Sequence, residues 1–152
     1  MSSNPNNIVY PKAKEYFMSG AIALTGGAYS SVATANQAII SVALISSSYP
    51  INNFATQSFY HDAVKPYVVG ATASLRNWHF QTGSLDGNDI TFTSVVASKK
   101  IAHVVLFKSG AVHGAADYLL AHYSTGSGGA FNINTNGGDI TIKWNGSGIF
   151  KL

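Results

Sequence analysis

The chain contains no cysteine. Disulfides, thiolate metal sites and thiol nucleophiles are excluded together. Charge is scarce as well. Only 10% of the 152 residues are Asp, Glu, Lys or Arg, against a usual share of about 25%. Six are acidic, and Glu15 is the one glutamate. Glycosidase chemistry needs paired carboxylates, and the aspartates sit mostly at predicted turns. Arg76 is the one arginine, and among the eight lysines only Lys99 and Lys100 are adjacent. A net charge of +3 spread this thinly does not make a nucleic-acid surface, because bidentate guanidinium contacts are missing. Long apolar runs are also absent. The longest, a mixed stretch around Ile39 to Ile45, falls far short of the roughly 18 residues a membrane-spanning helix needs. No nucleic-acid and no membrane partner is expected. The start, Met1-Ser2-Ser3-Asn4-Pro5-Asn6-Asn7, has neither the basic nor the apolar region of a signal peptide. Synthesis in the host cytoplasm, without export by that route, is the expectation.

What the chain does have is 46% hydrophobic residues, 15 glycines, 18 serines, 10 threonines and 12 asparagines. The apolar share is too high for disorder, and the length fits one domain. Aromatic residues make up 12%, and most of them must fill a core. Tyrosine also serves at interfaces, with its large area and polar tip.

Along the chain, Pro11 suits the first turn of a helix. Ala13, Tyr16 and Phe17 fall on one face at helical spacing, and Gly20 is a left-handed stop. A short helix is predicted over 11–19. After it the period changes to two. Ile39 to Ile45 and Ile101 to Phe107 read as strands covered on both faces. Tyr67-Val68-Val69 starts another strand, with a bend at Gly70. Trp78 and Phe80 share a side, as do Ile90 and Phe92. Tyr118, Leu120 and His122 alternate with Leu119, Ala121 and Tyr123. Ile140, Ile142 and Trp144 alternate with Asp139, Thr141 and Lys143. Asn145-Gly146-Ser147-Gly148 then turns the chain, predicting a C-terminal hairpin with Ile149-Phe150-Lys151-Leu152. Ser124 to Gly129 reads as a flexible loop. Short strands between glycine- and asparagine-rich turns predict a mainly β fold. It is an antiparallel β-sandwich or jelly-roll-like barrel with one short N-terminal helix.

Chemistry has few footholds. His61-Asp62 is the one adjacent histidine–carboxylate pair, and a surface turn or helix start explains it more simply than a metal or acid–base role. Asp86-Gly87-Asn88-Asp89 offers oxygen ligands. Its glycine is misplaced for a calcium loop and no glutamate follows, so a turn capped by Asx side chains is the better reading. His103, His113 and His122 can meet in space, yet no His-Glu-x-x-His motif supports zinc. No Gly-x-Ser-x-Gly elbow is present, and Thr25-Gly26-Gly27 lacks the lysine of a phosphate-binding loop. Neither catalytic residues, metal nor cofactor is expected.

Several blocks together carry a resemblance. They are Ile8-Val9-Tyr10-Pro11-Lys12-Ala13-Lys14-Glu15, Val42-Ala43-Leu44-Ile45, Asp89-Ile90-Thr91-Phe92-Thr93-Ser94-Val95, Asn136-Gly137-Gly138-Asp139-Ile140-Thr141-Ile142-Lys143-Trp144 and Gly148-Ile149-Phe150-Lys151-Leu152. With these the chain resembles a group of small virion structural proteins of tailed bacteriophages. The resemblance implies a structural part of the particle, a head decoration (cement) protein. Such proteins bind the outer shell as symmetric oligomers, with the major capsid protein as partner. Tail or baseplate location with receptor binding is the alternative, with tail proteins as partners. A small hydrolase is a more distant one. Residues 1–10 are expected to form an N-terminal arm and 11–152 a single β-rich domain. A polar start of this kind frays unless something holds it, and a strand laid on a neighbouring chain would do so. Ile8, Val9, Tyr10, Tyr16 and Phe17 are the expected interface residues of a homo-oligomer.

Overall fold

The computed structural model describes residues 7–19, 39–50, 60, 64–75, 79–81, 84–109, 118–126, 129–144 and 149–151. A short strand, β1 (Asn7–Val9), leads into a helix, α1 (Pro11–Ser19). Strand β2 (Ile39–Ser46) follows. A 3-10 turn (Lys65–Tyr67) precedes β3 (Ala73–Ser74), β4 (His79–Gln81), β5 (Ser84–Asp86) and β6 (Ile90–Phe92). Two further strands of the main sheet follow, β7 (Lys100–Ser109) and β8 (Tyr118–Tyr123). The chain continues through β9 (Thr125–Gly126), β10 (Gly129–Ala130), β11 (Ile133–Asn134), β12 (Ile140–Ile142) and β13 (Phe150–Lys151).

The main sheet has the order β1-β8-β7-β2-β3, and β11 pairs with the start of β7. Three smaller sheets join β9 to β10, β6 to β12, and β4 to β5 to β13. All these pairings are antiparallel. The fold is mainly β and sandwich-like, with a short N-terminal helix.

The centre follows from the apolar runs. Ile40 through Ile45 are all buried, and so are His103 through Phe107. Successive side chains of a strand point to opposite faces, so both faces of β2 and β7 are covered. Each fully buried Leu, Ile or Val contributes roughly 1.5–3 kcal/mol. The helix forms where Pro11 needs no N–H partner. The Lys14 N–H donates to the Tyr10 carbonyl at 3.2 Å, closing the first turn. Ala13 is buried and Tyr16 is half-buried against Tyr118, ring centroids 5.0 Å apart.

Three expectations are corrected. The strand expected from Tyr67 is replaced by the 3-10 turn, because Pro66 supplies a helical φ and has no N–H for a ladder. Val68 makes only a single bridge, to Ile45, and Gly70 bends the chain at φ +75°. Among the described residues, the two strands expected to form a C-terminal hairpin pair elsewhere. Ile140–Ile142 pairs with Phe92–Ile90, and Phe150–Lys151 with Leu85–Ser84. These nonlocal partners each offer a matching apolar face, which an adjacent turn does not outweigh. Within the loop expected at Ser124 to Gly129, Gly126 pairs with Gly129 and the Phe131 N–H donates to the Ser124 carbonyl at 2.8 Å. Of the expected N-terminal arm, residues 7–10 are described, and they lie along the chain's own main sheet. β1 pairs with β8 of its own chain, Ile8 opposite His122, and the Tyr10 N–H donates to the Leu120 carbonyl at 3.0 Å. Alternation sends Ile8 and Tyr10 to the same inner face.

Candidate functional site

The register of β7 and β8 brings two histidines together. His122 stands opposite Val105, and His103 lies two residues further along β7 on the same face. The rings meet with His122 Nε2 and His103 Nδ1 2.9 Å apart. Both residues are buried. One nitrogen must donate and the other accept, so the two rings take complementary tautomers. Two positively charged rings cannot make this bond.

Tyrosines close the cluster from other elements. Tyr49, in the turn after β2, sets its ring 5.5 Å from His103 and 6.0 Å from His122, centroid to centroid. Tyr10, between β1 and α1, stands edge-on to His122 at 6.5 Å. The Tyr10 and Tyr49 hydroxyls share a 2.7 Å hydrogen bond. Tyr67 of the 3-10 turn packs against Tyr49 at 5.7 Å. The cluster therefore ties the N-terminal segment, the β2 turn, β7 and β8 together.

Burial sets the electrostatics. It pushes the Tyr10 phenol well above its ordinary range and the Tyr49 phenol up to about 12. It also lowers the His103 imidazole, because an interior site disfavours the charged ring. On the same strand as His122, the Tyr123 hydroxyl donates to the Ile149 carbonyl, and burial raises that phenol too. Tyr10 and His122 have no solvent-exposed surface. A solute reaches them only if the surrounding elements open.

The residues expected at an interface are distributed unequally. Ile8 and Val9 are half-buried in β1, Tyr10 is sealed in the core, and Tyr16 is half-buried on Tyr118. Tyr10 is therefore unavailable to a partner, because its hydroxyl is spent on Tyr49 and its ring on His122. Phe17 lies on α1, and its side chain falls outside the described set. The nearest exposed apolar residue on α1 is Met18, at 82% exposure. His61, Asp62, Trp78 and His113 lie outside the described residues.

The Asp86 to Asp89 segment is a structural clamp. Asp86 accepts from the Gly87 N–H at 2.8 Å and Asp89 from the Trp144 N–H at 2.9 Å. The Trp144 indole N–H donates to the Asn88 carbonyl at 2.9 Å. Gly87 is required there, since a Cβ would come within 2.9 Å of the buried Leu75 side chain. Among the described residues no three His, Asp or Glu side chains converge as a metal site, and no helix is long and apolar enough to cross a membrane.

The histidine pair had a signal in the sequence. His103 and His122 each interrupt a dense apolar strand, and polar residues in such places are normally paired. The Tyr10–Tyr49 bond had none, because 39 residues separate its members.

Comparison of the chain with protein-family models, curated proteins and solved structures returns no match.

Proposed function

We propose that the chain is a structural component of a tailed-bacteriophage particle, a head decoration (cement) protein that binds the outer shell as a homo-oligomer. The observation that carries this reading is the kind of surface the fold presents. Among the exposed described residues, Ser, Thr and Asn outnumber charged side chains. The single ion pair among the described residues, Lys12 with Glu15 at 3.4 Å, lies at the surface of α1. Hydroxyls and amides face another protein at lower desolvation cost than ions do. Low charge also lets many copies sit side by side without strong repulsion. Symmetry then multiplies weak single contacts into avidity.

The test is to purify particles made by the genome that encodes the chain and image them by electron microscopy. A decoration protein appears at lattice positions on the capsid in stoichiometric copy number. Density in the tail supports the tail or baseplate reading instead. Absence from purified particles overturns both.

A further inference from the structure

We propose that Asn136 is a self-modification site, where the folded chain converts this side chain to aspartate and isoaspartate through a cyclic imide formed with Gly137. Asn136-Gly137-Gly138 lies in the turn between β11 and β12. Asparagine is among the thermally labile residues. Its carboxamide reacts when the next backbone nitrogen is unshielded and the backbone can bring the two together. Glycine leaves that nitrogen open, because it has no Cβ. The other described asparagines lack such a neighbour. Asn7 precedes Ile8, Asn88 precedes Asp89, Asn132 precedes Ile133, and Asn134 precedes Thr135. Ile and Thr are β-branched and crowd the adjoining backbone.

The turn brings the reacting atoms together in the open. Asn136, Gly137 and Gly138 are all exposed. The Gly138 N–H donates to Asn136 Oδ1 at 2.9 Å. That bond closes a ring of atoms containing both the Asn136 Cγ and the Gly137 nitrogen, so the carboxamide is folded back toward the amide it must meet. It also draws electron density from Cγ and makes that carbon the better electrophile. Glycine at 138 makes the fit possible, since a Cβ there would stand 2.9 Å from Asn136 Oδ1. Gly137 sits at φ +88°, and a Cβ built on it would meet nothing within 4 Å. The imide ring therefore has room to close.

The chemistry balances with water as the one co-reactant. The Gly137 nitrogen bonds to Asn136 Cγ and gives up its proton. The Cγ–Nδ2 bond breaks, and ammonia leaves carrying that proton. Water then adds to one of the two imide carbonyls and breaks its bond to nitrogen. Opening at the side-chain carbonyl gives aspartate. Opening at the backbone carbonyl gives isoaspartate, whose main chain runs through Cβ and is one atom longer.

A neighbouring loop feels the change. The Val95 N–H donates to the Gly138 carbonyl at 3.0 Å, and the Ser94 N–H to Asp139 Oδ1 at 2.9 Å. On the other side of Asn136, the Thr135 carbonyl accepts the Ser98 N–H at 3.0 Å. Ser94 and Ser98 hold positive φ angles of 50° and 65°, which non-glycine residues keep only where their surroundings impose them. An added main-chain atom at position 136 moves Gly138 and Asp139 relative to Thr135. The 94–98 loop, clamped from both sides, loosens in the isoaspartate form. The reaction is the chain's own and proceeds whatever the chain assembles with.

Incubation of the full folded chain in mildly alkaline buffer, followed by tryptic mapping with fragmentation to locate the site, tests the proposal. Position 136 should acquire the mass of aspartate and split into two products, isoaspartate the larger. Conversion there should run at least about ten-fold faster than at Asn132 or Asn134 of the same peptide. It should also reach at least about one tenth of the rate of the same site in urea, since the native turn leaves the reaction open. Equal rates at the three asparagines, or conversion confined to the unfolded chain, overturn the proposal. Asn145-Gly146, outside the described residues, falls in a different peptide because Lys143 intervenes. The exposed substitution Asn136→Gln keeps a carboxamide but demands a larger ring, and the product should disappear. An unchanged yield in that variant overturns the assignment. In the isolated isoaspartate form, hydrogen exchange at Ser94 and Val95 should rise at least about ten-fold over the parent, and in the β2–β7 ladder less than about three-fold. Unaltered exchange at both loop amides overturns the coupling between turn and loop.

Discussion

In the main sheet, His103 and His122 meet 2.9 Å apart in the interior. In the β6–β12 ribbon, Thr91 and Thr141 face each other across the strands, also at 2.9 Å, but at the surface. The distances match and the energetics do not. The threonine hydroxyls can each turn to water if their partner is lost, so their bond adds little. The histidine pair and the Tyr10–Tyr49 hydroxyl bond lie in the interior, where losing a hydrogen-bond partner costs more than it does at the surface. The ribbon contributes through its inner residues, Ile90 and Phe92, which are buried while Thr91 is exposed. One region uses polar groups to cover a surface, and the other uses them to fix which elements meet inside.

That contrast can be broken by experiment. The largest effect should come from Tyr10→Ala, which empties a fully buried ring site. Urea unfolding should show a loss of about 3–5 kcal/mol, and a loss below about 1 kcal/mol would place the N-terminal segment outside the folding unit. Next is alkali. Tyr49 ionises only at about 12 in the folded chain, whereas an unfolded tyrosine does so near 10. The phenol stabilises the fold below pH 10, and that contribution disappears as pH rises from 10 through 12. The slope should reach up to roughly 1.4 kcal/mol per pH unit for each such phenol. A flat stability curve between those values would mean the tyrosines are hydrated.

Tyr49→Phe comes third. It removes the hydroxyl that meets the Tyr10 hydroxyl at 2.7 Å in the interior and should cost about 1–3 kcal/mol. The pair Tyr10→Phe/Tyr49→Phe removes both hydroxyls and should recover much of that, giving a coupling of roughly 0.5–3 kcal/mol in a double-mutant cycle. Additive losses would show that the hydroxyls act independently. The smallest effect is expected for Thr141→Ala in the ribbon, within about 1 kcal/mol. A larger loss there would erase the distinction between the two regions.

Local structure was readable where a side chain's neighbours in sequence decide its conformation. Pro11, Ala13 and Tyr16 specify α1, and dense apolar runs rich in Ile and Val specify β2 and β7. Reading failed where a nonlocal partner competes with a local one. The Tyr67 to Val69 run looks like a strand until Pro66 is counted as a 3-10 residue. Ile140 to Ile142 carries the alternation of a strand, but that alternation fits any apolar partner, and the one it meets is Ile90 to Phe92. A turn such as Ser124 to Gly129 looks loose by composition, yet glycines also permit the close pairing of Gly126 with Gly129.

By itself the sequence determined which chemistries are closed to this protein, where its helix begins, and which residues alternate. These depend on side-chain type and on periods of two or 3.6, both local properties. Only the tertiary structure decided that β1 belongs to its own chain's sheet, and that His103, His122, Tyr10 and Tyr49 share one interior. Strand register is what decides it. A shift of one residue between β7 and β8 would put the two histidines on opposite faces, and period-two patterns alone do not choose among the partners they fit.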